Sequence, residues 1–177
     1  MADIVVETVT EIAGHDIHDL CDSAEAAIEE GGGFGWLSPP SREVLENFWR
    51  GVMLVPERML FAGRLDGVIV GSAQLVRPTR NNEAQAHSAT LTTAFVAPWA
   101  RGHGLARALT VRVEEAAREQ GYAVLNLDVR ETQEAAIALY ESLGFVHWGI
   151  HPHYARTEDG WVAGYFYSKD LEQTDEP

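Results

Sequence analysis

The chain has 177 residues and a formal charge of −14. That length allows one domain with a sizeable core, and that acidity argues against nucleic acid or an anionic membrane as the main partner. Hydrophobic residues make up 46% and charged residues 23%, which excludes a disordered chain. No apolar run reaches the length of a membrane span. Cys21 is the only cysteine, so an internal disulfide is excluded and a cysteine-based zinc site is not expected. The opening "MADIVVETVTEIAGHD" has no basic end followed by an apolar block, so no secretory leader is expected and a cytoplasmic location follows.

Residues Ile4 to Val9 predict a first strand. From Asp16 onward, Ile17, Leu20, Cys21, Ala24, Ala27 and Ile28 recur at helical spacing, and Gly31 to Gly33 end that helix. Ser38 before Pro39 predicts the N-cap of a second helix holding Val44, Leu45 and Trp49. "RMLFAGRLDGVIVGSAQLV" reads as a hairpin turning at Asp66-Gly67, and "AHSATLTTAFVAP" as a fourth strand. A helix from about Gly104 to Glu119 carries Leu105, Leu109, Val113, Ala116 and Ala117 on one face. "YAVLNLDV" predicts a strand covered on both faces. Ala136, Leu139, Tyr140 and Leu143 mark another helix, stopped by Gly144 at the C′ position. "FVHWGI" and "GWVAGYFYSKDL" supply the late strands. The order β-α-α-β-β-β-α-β-α-β-β predicts an α/β fold: a mixed central β-sheet flanked by helices, in a single domain over residues 1–177. The acidic end, 172–177, is expected to be a disordered tail.

The stretch "ARGHGLARAL" places two glycines, a histidine and flanking arginines between a strand and a helix. That arrangement offers free backbone N–H groups and a helix dipole to an anion. It is neither G-x-G-x-x-G nor a P-loop, so a dinucleotide or ATP site is not expected. From these residues alone, a turn that binds nothing and a turn that binds phosphate stand equal.

"FVAPWARGHGLARAL" resembles the acetyl-CoA-binding motif of the GNAT superfamily of N-acetyltransferases, and "ETQEAAIALYESLGF" resembles its later N-x-x-A-x-x-L-Y-x-x-x-G-F segment. The element order is that family's GNAT-fold order, and the resemblance covers nearly the whole chain. It implies acetyl-CoA as co-substrate. The backbone of Ala94, Phe95 and Val96 would pair with the pantetheine arm. The backbone of Gly102, His103, Gly104, Leu105, Ala106 and Arg107, opened by Arg101, would hold the pyrophosphate. Gln133 stands at a cofactor-contacting position where the family usually has Asn, and His103 at a freely varying position facing solvent. A narrower likeness, to the tabtoxin-resistance-type acetyltransferases, is carried by "GGGFGWLSPPSREVLENFWRGV", "AHSATL" and "YAR". Those enzymes tend to carry an acidic residue where this chain has Thr90.

Acetyl transfer to an amine requires a base, oxyanion stabilisation and an acid for the departing thiolate. Tyr140 lies where the family places a hydroxyl near the coenzyme sulfur; as a residue at helical spacing it also reads as a core aromatic. Asp128, near the end of an apolar strand, reads as the base or as a salt-bridge partner of Arg130 on the same strand face. His87 is a second candidate base, or an exposed strand-end histidine. Phe34 and Trp36 in their glycine-rich loop, with Tyr154 and Trp148, wall an acceptor pocket or cap the sheet. Thr90 joins Phe34, Trp36 and Tyr154 as a substrate-binding candidate. The expectation is direct acetyl transfer from acetyl-CoA to the amine of an amino-acid-like or toxin-like small molecule, with no metal, by a monomer or homodimer. A protein N-terminal or lysine acetyltransferase and a non-catalytic coenzyme-A sensor are the alternatives.

Overall fold

The computed structural model describes residues 1–172; of the tail expected at 172–177, residues 173–177 lie outside the described residues. The elements are β1 (Ile4–Val9), α1 (Asp16–Glu29), α2 (Arg42–Leu54), β2 (Arg58–Leu65), β3 (Val68–Val76), β4 (Ser88–Val96), α3 (Leu105–Glu119), β5 (Val124–Arg130), α4 (Glu134–Ser142), β6 (Val146–Thr157) and β7 (Gly160–Asp170). Single 3-10 turns lie at Glu83–Gln85 and Pro98–Ala100. The strand and helix order is the expected one. The seven-stranded sheet has the order β1-β2-β3-β4-β5-β7-β6. It is mixed: β4 and β5 run parallel, while β1–β2, β2–β3, β5–β7 and β7–β6 are antiparallel.

The chain divides into two compact units, residues 1–77 with 91–116, and residues 78–90 with those from 117 on. In the first, the apolar stripe of α1 packs with Leu45, Trp49 and Val52 of α2 against Leu60, Ala62 and Ile69 of the β2–β3 hairpin. Each fully buried Leu or Ile of such a core contributes about 1.5–3 kcal/mol. Asp66 and Gly67 both take positive φ, 50° and 87°, as a two-residue type I′ hairpin turn demands. Arg64 ties β2 to α1, its guanidinium donating to both carboxylate oxygens of Asp16 at 3.0 Å. The N-cap of α2 is Ser41, not Ser38: the Ser41 hydroxyl accepts the Val44 N–H at 3.4 Å. Pro40 pushes Pro39 out of the helical region, so the helix starts after the proline pair.

In the second unit, the two faces of β5 are buried unequally, with Val124 and Asn126 half-buried on the face that carries Asp128. Leu125, Leu127 and Val129 are buried while Asp128 is exposed. β6 runs through Thr157, well past Ile150, where the sequence reading ends it. β6 is an edge strand, where the missing N–H of Pro152 is tolerated. Register shifts at His147/Gly149 and His151/Ala155 absorb the irregularity. α4 closes with Gly144 at φ +85°. The N–H of Phe145 bonds the Tyr140 carbonyl and that of Gly144 the Glu141 carbonyl, both at 3.1 Å. This is the Schellman pattern, and its apolar clasp is the Tyr140–Phe145 ring pair at 5.8 Å.

Candidate functional site

In the first unit the turn between β4 and α3 is shaped by backbone. Gly102 and Gly104 take φ +83° and +79°, and a Cβ at either position would meet nothing within 4 Å. Their glycines serve the backbone angle, and the space in front of the turn is open. Gly104 caps α3, its carbonyl accepting the Ala108 N–H at 3.0 Å. The first-turn N–H groups of Leu105 and Ala106 have no acceptor within the helix, which suits an anion. Leu105 is buried, whereas Arg101, Gly102, His103, Gly104, Ala106 and Arg107 are exposed. The Arg101 guanidinium pairs with Glu30 at 2.5 Å. His103 donates its Nδ1 proton to the Ala100 carbonyl at 3.1 Å, which pins the ring to the turn.

β4 leads into this turn through an unusual residue. Thr93 takes φ +50°, uncommon for a β-branched side chain. The parallel ladder to β5 spans Ser88↔Val124 to Thr90↔Asn126, so Thr90 is its last residue on β4. Beyond it Ala94 is half-buried, and Phe95 and Val96 are buried. Three glycines that the sequence reading did not single out hold this stretch and the turn. A Cβ on Gly71 would lie 2.6 Å from the Phe95 carbonyl oxygen, one on Gly33 2.8 Å from Phe95 Cβ, and one on Gly63 2.9 Å from Leu105 Cδ1. Glycines inside otherwise apolar strands were the available signal for Gly63 and Gly71.

Phe34 is a buried core ring, 4.9 Å from Phe95 and 6.1 Å from Trp49 between centroids. Trp36 is half-buried beside Phe48 at 5.3 Å. The glycine-rich loop thus places one ring in the core and one at its margin.

In the second unit side chains converge. Tyr140, on α4, is buried; its burial and then the charge of Asp128 push its hydroxyl up to about 12. Asp128, exposed on β5, accepts the Tyr154 hydroxyl proton at Oδ2. Burial and this bond raise the Tyr154 hydroxyl well above its ordinary range. Asp128 is thus a hydrogen-bond partner of Tyr154. The Tyr154 ring lies over Gly164, where a Cβ would sit 2.1 Å from the ring, and meets Phe166 edge-on at 6.1 Å. Trp148, exposed, lies 5.5 Å from Phe166. His87 is exposed, and its carbonyl takes the Ala123 N–H at 2.8 Å. That is the far end of β5 from Asp128, roughly 16 Å along the chain. Gln133 precedes α4, its carbonyl accepting the Ile137 N–H at 3.0 Å. A protonated phenol can give a proton, and an ionised carboxylate can take one.

The family model for the acetyltransferase (GNAT) family matches residues 17–145. The chain belongs to the acetyltransferase (GNAT) family. It is 68% identical over 133 residues to an uncharacterized N-acetyltransferase of the hisH-hisA intergenic region of Azospirillum brasilense, covering 75% of this chain and 79% of that one. It is 44% identical over 72 residues to the ribosomal protein bS18-alanine N-acetyltransferase of Escherichia coli K12, which is 41% of this chain and 49% of that enzyme. The fold matches an N-acetyltransferase of Staphylococcus aureus Mu50 with a TM-score of 0.81 at 21% identity, over 96% and 99% of the two chains. This acetyltransferase is thus an acetyl-CoA-dependent enzyme with the GNAT fold. Among the described residues no helix is long and apolar enough to cross a membrane.

Proposed function

We propose that the chain, acting as a single domain, transfers the acetyl group of acetyl-CoA directly to the amine of a small amino-acid-like or toxin-like molecule. The bound co-substrate supplies an acetyl thioester. The backbone of Gly102 to Arg107 would hold its pyrophosphate, the backbone of Ala94 to Val96 its pantetheine arm, and Arg101 and Gln133 would lie along it. The open space and positive φ at Gly102 and Gly104 support this.

Asp128 takes the proton of the attacking amine through the oxygen that Tyr154 leaves unused. Tyr140 gives its proton to the sulfur as it departs. The observation that carries this reading is the Tyr154 hydroxyl bond that orients the exposed Asp128 carboxylate, with Tyr140 buried in the same unit; a coenzyme sensor has no use for an oriented acid and base. Phe34, Trp36, Thr90 and Tyr154 would shape the acceptor pocket, with the tabtoxin-resistance-type enzymes as a chemical analogy. No metal takes part, and a cytoplasmic monomer or homodimer is the working form. The similarity to the bS18-alanine enzyme favours a second reading, acetylation of a protein N-terminus.

Release of coenzyme A thiol should be followed over free amino acids, other small amines and peptides with an N-terminal alanine. Turnover with small amines supports the first reading, and turnover with peptides alone supports the second. Thioester binding without any turnover would leave only the sensor.

A further inference from the structure

Strands β5, β7 and β6 lie side by side in the second unit, and their two faces are unlike. On one, Leu125, Leu127 and Val129 are buried. Tyr167, in register with Leu127, donates its hydroxyl from that face to Glu141 of α4 at 2.9 Å. The other face carries the exposed Asp128, with the half-buried Phe166 directly across the ladder on β7. Opposed side chains of an antiparallel pair stand about 4.5–5.5 Å apart at Cβ, so this carboxylate and this ring are immediate neighbours.

Strand β6 departs from regular pairing twice, and each departure brings an aromatic ring to the Asp128 face. His147 pairs with Tyr167 and Gly149 with Phe166, which leaves Trp148 as the extra residue between them. Trp148 is 64% exposed, and its ring lies 5.5 Å from that of Phe166. Gly149 itself puts no side chain over Phe166. The second departure, between His151 and Ala155, contains Tyr154. The Tyr154 ring meets Phe166 edge-on at 6.1 Å, and its hydroxyl donates to Asp128. Irregularities of this kind re-aim side chains and gather beside functional sites. Trp148, Phe166, Tyr154 and Asp128 thus form one continuous row within a single unit.

The chemistry of that row is selective. A carboxylate attracts an ammonium, and ring faces attract both a cation and a further aromatic ring. A largely exposed Trp beside a half-buried Phe leaves apolar area in water that an apolar ligand would cover. One kind of small molecule meets all of these groups. Its amine nitrogen reaches Asp128, and its aryl group rests on Phe166 against Trp148. Neighbouring strands lie about 4.7–4.9 Å apart, a distance spanned by a short alkyl link between nitrogen and ring.

We propose that Phe166 and Trp148 select the acceptor by an aryl group, with Asp128 receiving its amine. The acceptor class is therefore an amino-acid-like amine bearing an aromatic side group. This rests on the transfer reading above and narrows it.

The test reads binding apart from turnover. The Trp148 indole N–H resonance is assigned by its loss in Trp148→Phe. It is then followed as wild-type protein saturated with coenzyme A is titrated with the amides of L-phenylalanine, L-tyrosine and L-tryptophan. At least one of them should shift the resonance saturably. L-Alanine amide, which lacks the ring, and 3-phenylpropanamide, which lacks the amine, should each bind at least about tenfold more weakly. Phe166→Leu keeps an apolar side chain and removes the ring. It should raise KM for the preferred aryl amide about tenfold with kcat nearly held, the signature of lost uniform binding. Trp148→Ala, at an exposed position, is the second variant should Phe166→Leu misfold, and the comparison of amides needs no variant.

A resonance unmoved by all three aryl amides overturns the proposal. So does equal binding of aryl and alanine amides, or a Phe166→Leu enzyme that loses kcat with KM unchanged, since Phe166 would then only support Asp128. Sedimentation in which Trp148→Ala splits a wild-type dimer while amine binding stays untouched overturns it as well, because a second copy would be covering the rings. Selective binding of an aryl amide by a protein that never transfers acetyl would instead sink the transfer reading and leave the aryl site. Turnover indifferent to the ring would sink the aryl site alone.

Discussion

At the turn from Arg101 to Gly104 the fold presents backbone. Gly102 and Gly104 lie at positive φ with nothing within 4 Å of a would-be Cβ, and the neighbouring side chains are exposed. Around Asp128 the fold presents side chains. Tyr154 donates to the carboxylate, its ring rests on Gly164, and the buried Tyr140 hydroxyl feels the same charge. The difference lies in where precision comes from. Backbone groups are positioned by local dihedral angles, so a short segment suffices. Two side chains twenty-six residues apart, Tyr154 and Asp128, can meet only because β5 and β6 both pair with β7.

If the side-chain group moves protons, the largest effect falls on Tyr140→Phe. This substitution keeps the ring and its clasp on Phe145 and removes only the hydroxyl. The rate constant kcat should drop roughly 10- to 1,000-fold, since positioned acid catalysis contributes on the order of 10²–10⁴ and water substitutes in part. kcat/KM should fall with it, and acetyl-CoA affinity should stay. The pH profile sharpens this. With its hydroxyl raised to about 12, Tyr140 holds its proton throughout the neutral and mildly alkaline range and loses it only as pH climbs towards that value. Steady-state rates to pH 10 should therefore show no alkaline loss that disappears in Tyr140→Phe.

Smaller effects separate tight glycines from open ones. Gly71→Ala drives a Cβ against the Phe95 carbonyl, a backbone atom that cannot rotate away. Chemical unfolding should show about 1–3 kcal/mol of lost stability, the usual cost of overpacking. Gly104→Ala meets no atom but must adopt φ +79°, so about 1 kcal/mol is expected. Equal losses would mean that dihedral strain, not close approach, governs both. Gly164→Ala should displace the Tyr154 ring and lower kcat/KM for the acceptor about tenfold, roughly 1.4 kcal/mol. That loss should vanish in an Asp128→Asn background, because the hydroxyl then has no carboxylate to orient. The smallest effect belongs to Arg101→Ala. Its ion pair with Glu30 is half exposed on both sides, and such pairs contribute about 0–1 kcal/mol, so the unfolding midpoint should barely move.

Much of the fold was legible because its signals are local. The stripe of α1, the Asp66-Gly67 turn and Gly144 after α4 each state their structure within a few residues. The same holds for the glycine turn. The full length of β6 was hidden because an edge strand accepts a proline such as Pro152, and edge position is a property of the whole sheet. Ser38 misled because the proline pair moves the cap to the next hydroxyl. The alternation of β5 was hidden because Asp128 reads as an exception in an apolar run, when it belongs to the less buried of two faces. Gly164 and the Tyr154–Asp128 bond had no signature at all: a glycine under an aromatic ring on a neighbouring strand looks like any other strand glycine.

The division of labour between backbone and side chains is tested most directly by calorimetric titration of acetyl-CoA into the Asp128→Asn/Tyr140→Phe double variant. Both changes preserve shape and remove only the proton chemistry. Wild-type affinity in a protein that no longer turns over is the predicted result. An affinity weakened tenfold or more, about 1.4 kcal/mol, would contradict it, because the side-chain group would then be holding the co-substrate rather than working on it.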